Sequence, residues 1–201
     1  DNMDKIKIVF ASHNKHKIEE IKQILGDEFE VITLTDLGVT EEIPETGNSY
    51  VENANIKASY VFDKFNCDCF ADDSGIEFEA LSGEPGIFSA RWAGENGTGD
   101  DLVEKALKSL GENLNRFATQ CTTIVAYIDG KRYSFHGYLN GDITYQPFGT
   151  NGFAYDKIFS PSGSKRTLAE MTDEEKNRIS HRGIAVRKLK DFILKNNVKK
   201  D

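Results

Sequence analysis

The chain has 201 residues, 38% of them hydrophobic. That is a globular proportion, with enough length for one large domain or two small lobes, and it excludes a disordered chain. Lys and Arg total 25 against 33 Asp and Glu, a formal net charge of −8, which argues against gripping a nucleic-acid polymer, since that takes a basic face.

A small anionic substrate stays open, because a pocket needs only a few local cations. Cys67 and Cys69 stand too close for the usual zinc spacing, and Cys121 stands alone. They read as reduced thiols of a cytoplasmic protein. No run approaches the roughly 18 apolar residues of a membrane span, and no signal-peptide pattern precedes the first strand. No membrane partner is expected.

KIKIVFAS (5–12) predicts a strand, and Ile18, Ile21, Ile24 and Leu25 follow at helical spacing. EVITLTDLG (30–38) returns to a strand. PETGN (44–48) is a loop. Ser49 with Glu52 forms an S-x-x-E capping box. The helix it opens turns Val51, Ala54, Ala58, Val61, Phe62 and Phe65 inward. CDCFADDSGIEF (67–78) reads as a buried strand with Asp72 and Asp73 at its end, and IEFEAL (76–81) continues it or pairs with it. SGEPG (82–86) is turn-rich. A helix over 101–110 buries Leu102, Val103, Ala106 and Leu107. Two strands, Phe117–Ile128 and 131–139, meet at Asp129-Gly130, a hairpin signal. GDITYQPFGTNGFAYDKIF (141–159) is loop-rich. Thr172 and Glu175 make a second capping box. A final helix from near Ser180 carries Ile184, Leu189, Phe192 and Ile193. The fold class is therefore α/β: a mixed β-sheet with flanking helices, one domain over 1–201, in two lobes around a central cleft. Ligand sites in such folds gather at loops beyond strand ends.

Several stretches carry chemistry. ASHNKHK (11–17) joins a strand to a helix, where free N–H groups and the helix dipole favour an anion. Ser12, Asn14, Lys15 and Lys17 add polar contacts and charge, although Asn14 as a cap and solvated lysines account for the same residues. Glu45 in its loop, with Asp72 and Asp73, offers the hard oxygens that Mg²⁺ takes alongside water and phosphate. Turn capping by Asp-Ser-Gly explains Asp73 equally well. His13 and His16 are too sparse for zinc, and no G-x-S-x-G elbow surrounds Ser74. In NGFAYDKIF (151–159) an aromatic ring suits stacking on a base, or Phe153, Tyr155 and Phe159 alternate into the core of a strand. KNRISHRG (176–183) gathers Lys176, His181 and Arg182 at a helix start, suited to an anion or a carbonyl oxygen.

Taken in order, FASHNKHKIEEI, PETGNSYVENANIKA, FADDSGIEFEALSGEPGIFSARWAG, GFAYDKIF and LAEMTDEEKNRISHRGIA resemble the inosine triphosphate pyrophosphatase family, from about Lys5 to Phe192. The resemblance implies that Ser12, His13, Asn14 and Lys17 contact the triphosphate, with Lys57, Ser74 and Arg91 as further substrate contacts. It implies Glu45 and Asp73 as ligands of Mg²⁺, or of Mn²⁺. Asp73 is the implied proton acceptor, with Asp72 beside it as second candidate. Phe153, Ala154, Tyr155 and Asp156 match the base-stacking block, and Lys176, His181 and Arg182 the purine-recognition block. Three positions depart from the family pattern: Ala154 stands where a glycine is usual, Lys157 replaces a proline, and His16 stands where bacterial members often have glycine. The implied reaction is hydrolysis of ITP, dITP or XTP to the monophosphate and pyrophosphate, by a homodimer. A pyrophosphatase for other modified nucleotides, or a Mg²⁺-dependent phosphatase releasing orthophosphate, are the alternatives.

Overall fold

The computed structural model describes residues 4–200, the side chains of 198–200 excepted. The elements in chain order are β1 (Ile6–Phe10), α1 (Lys15–Leu25), β2 (Phe29–Thr33), α2 (Tyr50–Phe65), β3 (Cys69–Phe78), α3 (Gly99–Leu110), β4 (Phe117–Ile128), β5 (Lys131–Ile143), β6 (Phe159–Pro161), α4 (Asp173–Ile179) and α5 (His181–Lys200). The sheet order is β2-β1-β3-β4-β5-β6. β1 runs parallel to β2 and β3, while β5 and β6 are antiparallel, so the sheet is mixed as expected. The β4–β5 turn is made by Asp129 and Gly130, both in the left-handed region at φ 51° and 78°. Two such residues give the turn whose twist matches a hairpin.

The described chain divides into two compact units. The first takes the chain through Asp73, then Thr122–Gly137, then α5 from Arg182; the second takes Ser74–Cys121 and Tyr138–His181.

In the first unit, strand alternation sorts the core. Ile8, Phe10, Phe70 and Ile124 pack with Ile21 and Leu25 of α1 and with Ala185, Val186, Leu189 and Ile193 of α5. Their neighbours Val9, Ala11, Cys69, Ala71 and Val125 pack with Ala54, Ala58 and Val61 of α2. Successive side chains in a strand point to opposite faces. The two clusters are therefore the two faces of one sheet, which is why these strands read as continuous apolar runs. Cys69 donates to the Ala58 carbonyl oxygen, and burial pushes its thiol up to about 12, so it packs as an inert thiol.

In the second unit, Ile76, Phe78, Ala118 and Ile143 pack with Leu102, Val103, Ala106 and Leu110 of α3 and with Tyr155, Ile158, Phe159, Leu168 and Met171. Arg116, almost wholly buried, donates to the carbonyl oxygens of Gly111, Asn113, Ile143 and Thr144, tying the end of α3 to β5.

Four expectations need correction. β2 stops at Thr33, because 34–38 turn back on themselves. Val51 is 44% exposed and does not join the buried stripe of α2. The first capping box is half made. Ser49 accepts from the Glu52 N–H, but the Glu52 carboxylate accepts from Asn48 instead of returning to Ser49. The Thr172–Glu175 box is complete. Most consequential, Asp72 and Asp73 do not end a strand. They sit mid-way along the ten-residue β3, at 0% and 4% exposure. Turn capping therefore cannot account for them.

Gly141 of β5 pairs with Pro161 of β6, and a Cβ there would lie 2.5 Å from the Ser160 carbonyl oxygen and 2.7 Å from the Phe159 ring. Gly141→Ala is expected to cost about 1–3 kcal/mol of stability through this overpacking, read as a lowered denaturation midpoint in urea; an unchanged midpoint would refute the close approach.

Candidate functional site

The alternation that sorts the core also separates the two acids. Asp72 continues the face of Phe70, toward α1 and α5; Asp73 continues the face of Ala71, toward α2. Each meets what its own face supplies. Lys17 of α1 places Nζ 3.3 Å from Asp72 Oδ1, and Arg182 of α5 places Nε 3.4 Å from Asp72 Oδ2. Arg182 Nη1 also donates to Glu20 at 2.6 Å. On the other face, Asn53 of α2 donates to Asp73 Oδ2 at 3.4 Å. Lys57, one turn further along α2, pairs with Glu45 at 2.9 Å and donates to the backbone oxygen of Asp72.

A carboxylate in a low-dielectric site holds its proton longer. Burial pushes Asp73 up to about 7; Lys57 and Lys17 pull it back down, while Glu45 and Asp72 push it further up. Burial lowers Lys17, with Asp72 opposing. Lys57 stands above its ordinary value even though burial lowers it, because Asp72 and Glu45 outweigh the burial. The arrangement can hold anionic oxygens against Lys17 and Lys57, and accept a proton at Asp73 near neutral pH.

Among the described residues no group of three or more His, Cys, Asp and Glu side chains gathers to cage a metal. Glu45 and Asp73 nonetheless stand close enough that the charge of one disfavours ionisation of the other. Such a pair suits a hard dication that completes its shell with water and phosphate oxygens.

The second unit carries its own cluster. Asp156, 4% exposed, accepts from the Phe153 N–H at 3.0 Å and from Lys176 Nζ at 2.6 Å, both at Oδ2. The Lys176 ammonium also lies 4.7 Å from the centre of the Phe153 ring. Gly152 has φ 73°, and a Cβ there would reach within 2.1 Å of Asp156 Oδ2, so only glycine lets the loop close on that carboxylate. The segment is turn and 3-10 helix, so the alternative of Phe153, Tyr155 and Phe159 alternating along one strand is overturned. Phe153 is half-buried. Tyr155 is a core residue whose hydroxyl donates to the Ser89 carbonyl oxygen and whose ring meets Phe78 edge-on. Burial raises that hydroxyl above its ordinary value. Ala154 has φ 52°, the left-handed region that glycine enters freely and alanine enters at a cost.

The other residues singled out in the sequence are placed as follows. Asn14 caps α1, accepting from the Lys17 N–H, and Ser12 accepts from the Asn14 N–H. His13 Nε2 lies 3.1 Å from the Glu41 carbonyl oxygen, tying the loop after β1 to the segment that carries Glu45. Ser74 is half-buried in β3, and His181, 4% exposed, opens α5. Arg91 is exposed, over the Phe88 ring at 5.7 Å. Lys176 belongs to the Asp156 cluster and Arg182 to the Asp72 cluster. Glu20 and Asn53 escaped the sequence reading. For Asn53 a signal existed: with Ala54, Lys57, Ala58 and Val61 it forms the buried stripe of α2, and two polar residues at i and i+4 on an apolar stripe mark a site or a network.

The model of the Ham1 family matches residues 8–192. The chain belongs to the Ham1 family. It is 47% identical over 188 residues to a protein of Flavobacterium johnsoniae named dITP/XTP pyrophosphatase, covering 94% of this chain and 98% of that one. Among solved structures, the Staphylococcus aureus Ham1 protein superposes with a TM-score of 0.85 at 36% identity, covering 95% of this chain and all of that one. A Ham1 protein from Coxiella burnetii does so with the same TM-score at 37% identity, covering 94% and 99%.

Two outcomes are expected of this Ham1-family site. Asp73 binds its proton more tightly folded than unfolded, so the folded state holds more protons between pH 3.8 and about 7. Its contribution is therefore present below pH 3.8 and lost as pH rises through 7, by up to ~4 kcal/mol. In EDTA-treated protein, wild type should lose stability from pH 5 to pH 8 relative to Asp73→Asn; parallel Tm profiles would count against a buried Asp73. Separately, Ala154→Gly should raise stability by up to ~1 kcal/mol, relief of the left-handed backbone outweighing the entropy of glycine. A lowered urea midpoint would overturn that conformation.

Proposed function

We propose that the chain hydrolyses the non-canonical purine nucleoside triphosphates dITP, ITP and XTP to the monophosphate and pyrophosphate. The observation that carries the reading is Asp73: a buried carboxylate held near neutrality beside Glu45, with Lys17 and Lys57 at hand. The relatives' printed name, dITP/XTP pyrophosphatase, supports the same chemistry.

Asp73 takes a proton from the attacking water. The water oxygen bonds to the α-phosphorus, the bond from that phosphorus to the α–β bridging oxygen breaks, and pyrophosphate leaves with its electron pair. Lys17 and Lys57 offset phosphate charge where little water screens it. Mg²⁺, or Mn²⁺, held by Glu45 and Asp73 would neutralise further phosphate charge and acidify the water. Asp72 fixes Lys17 and Arg182. As the family resemblance implies, Phe153 would stack on the base, and Lys176 and His181 would donate to its C6 oxygen. An adenine amino group would set donor against donor in a dry place, a mismatch worth roughly 10⁴-fold. Within this reading the enzyme is a cytoplasmic homodimer. Among the described residues no helix is long and apolar enough to cross a membrane.

A panel of dITP, XTP, dATP, dGTP and modified pyrimidine triphosphates with Mg²⁺ tests the proposal. The expected products are dIMP and pyrophosphate, with dATP slower by orders of magnitude. Release of orthophosphate and dIDP would sink it, as would a modified pyrimidine outrunning dITP.

A further inference from the structure

Asn53 is wholly buried at the start of α2, and its side chain touches two things of different kinds. Its Oδ1 accepts from the Gly47 N–H at 2.8 Å, and its Nδ2 lies 3.4 Å from Asp73 Oδ2. A backbone N–H can only donate, so the amide orientation is settled by chemistry: oxygen toward Gly47, NH₂ toward Asp73. Gly47 lies two residues after Glu45. A Cβ on Gly47 would come within 2.9 Å of Asn53 Oδ1, 2.7 Å of Glu52 Cβ and 3.2 Å of the Asn53 backbone nitrogen. The loop bearing Glu45 is thus pressed against the same side chain that reaches Asp73.

We propose that Asn53 is a positioning residue for the reaction inferred above: one amide clasps the Glu45 loop and aims the Asp73 carboxylate, fixing the two acids relative to each other. The proposal rests on the pyrophosphatase reading for its kinetic consequence, but not for the link itself. Asparagine is the residue that suits the place. Aspartate keeps the acceptor for Gly47 but sets a second acceptor against Asp73. Leucine keeps the volume and removes both bonds. Serine and alanine reach neither partner.

The decisive variant is Asn53→Asp, because it separates the two ends of the amide. Gly47 amide exchange, followed by NMR, should stay as protected as in wild type, whereas kcat for dITP should fall about 10- to 100-fold, the usual effect of removing a group that orients a ligand or reacting residue, with KM within about threefold. Asn53→Ala should lose both, with Gly47 exchanging faster. A purely structural role predicts instead that Asn53→Asp loses Gly47 protection, Tm and kcat together, and that result, or wild-type kcat in Asn53→Asp, would overturn the proposal.

One measurement is independent of turnover. Asp73→Ala should shift the Asn53 side-chain NH₂ resonances and speed their exchange while the Gly47 amide stays protected. Unmoved Asn53 resonances would refute the link whatever the substrate. Failure of wild type to hydrolyse dITP, with the resonances moving as stated, would instead refute the functional reading and leave the link standing.

Discussion

The two-residue period of a β-strand governs this site. Asp72 and Asp73 are adjacent in sequence, and because β3 runs straight through them they face opposite sides of the sheet. Two carboxylates on one face would repel and compete for the same cations. On opposite faces each is served by a separate set of helices, α1 and α5 for Asp72 and α2 for Asp73. Burying an ion without partners costs several kcal/mol, so the helices are constrained to present Lys17, Arg182 and Asn53 where they do. The packing that covers the sheet and the partners given to each acid are therefore fixed by the same alternation.

The first unit's charges have a balance with a consequence. Lys17, Lys57 and Arg182 stand against Glu20, Glu45, Asp72 and Asp73. Three cations meet four acids, and the set is neutral only while Asp73 keeps its proton. That is the physical sense of a carboxyl pushed up to about 7: ionising it adds an excess negative charge in a dry place. In the reaction proposed above, a dication at this site would favour the ionised form of Asp73. The Asp72 oxygens meet cations from two different helices, and so fix Lys17 and Arg182 in place.

Much of the fold was legible because its signals are local. Helical spacing gave α1, α2 and α3, Asp-Gly gave the hairpin, and Thr172 with Glu175 gave the start of α4. The acids misled for a physical reason: Asp-Asp-Ser-Gly has turn chemistry, and nothing local reports that partners elsewhere will neutralise it inside a strand. Lys17 and Asp72 lie 55 positions apart, Arg182 and Asp72 110. Such pairs are made by topology, and no window of sequence contains both. The resemblance to a family ranked Asp73 ahead of Asp72, and the pleat then sets the two acids on opposite faces with different partners.

The second unit solves a related problem by different means. Asp156 is buried against Lys176 and accepts from the Phe153 N–H. The Phe153 backbone and ring thus both answer to this ion pair, since the Lys176 ammonium also lies over the ring. The loop is held by this ion pair as well as by the packing of Tyr155, Ile158 and Phe159 into the core. A buried ion pair adds little net stability, yet breaking it by removing one partner is costly, because the other charge is left stranded. Its value is in fixing one conformation, and that explains why the loop tolerates a left-handed alanine at position 154. A strained residue persists where its surroundings over-determine it. Gly152 on one side and the Asp156 clasp on the other do so here, so the left-handed backbone at Ala154 is held by its neighbours.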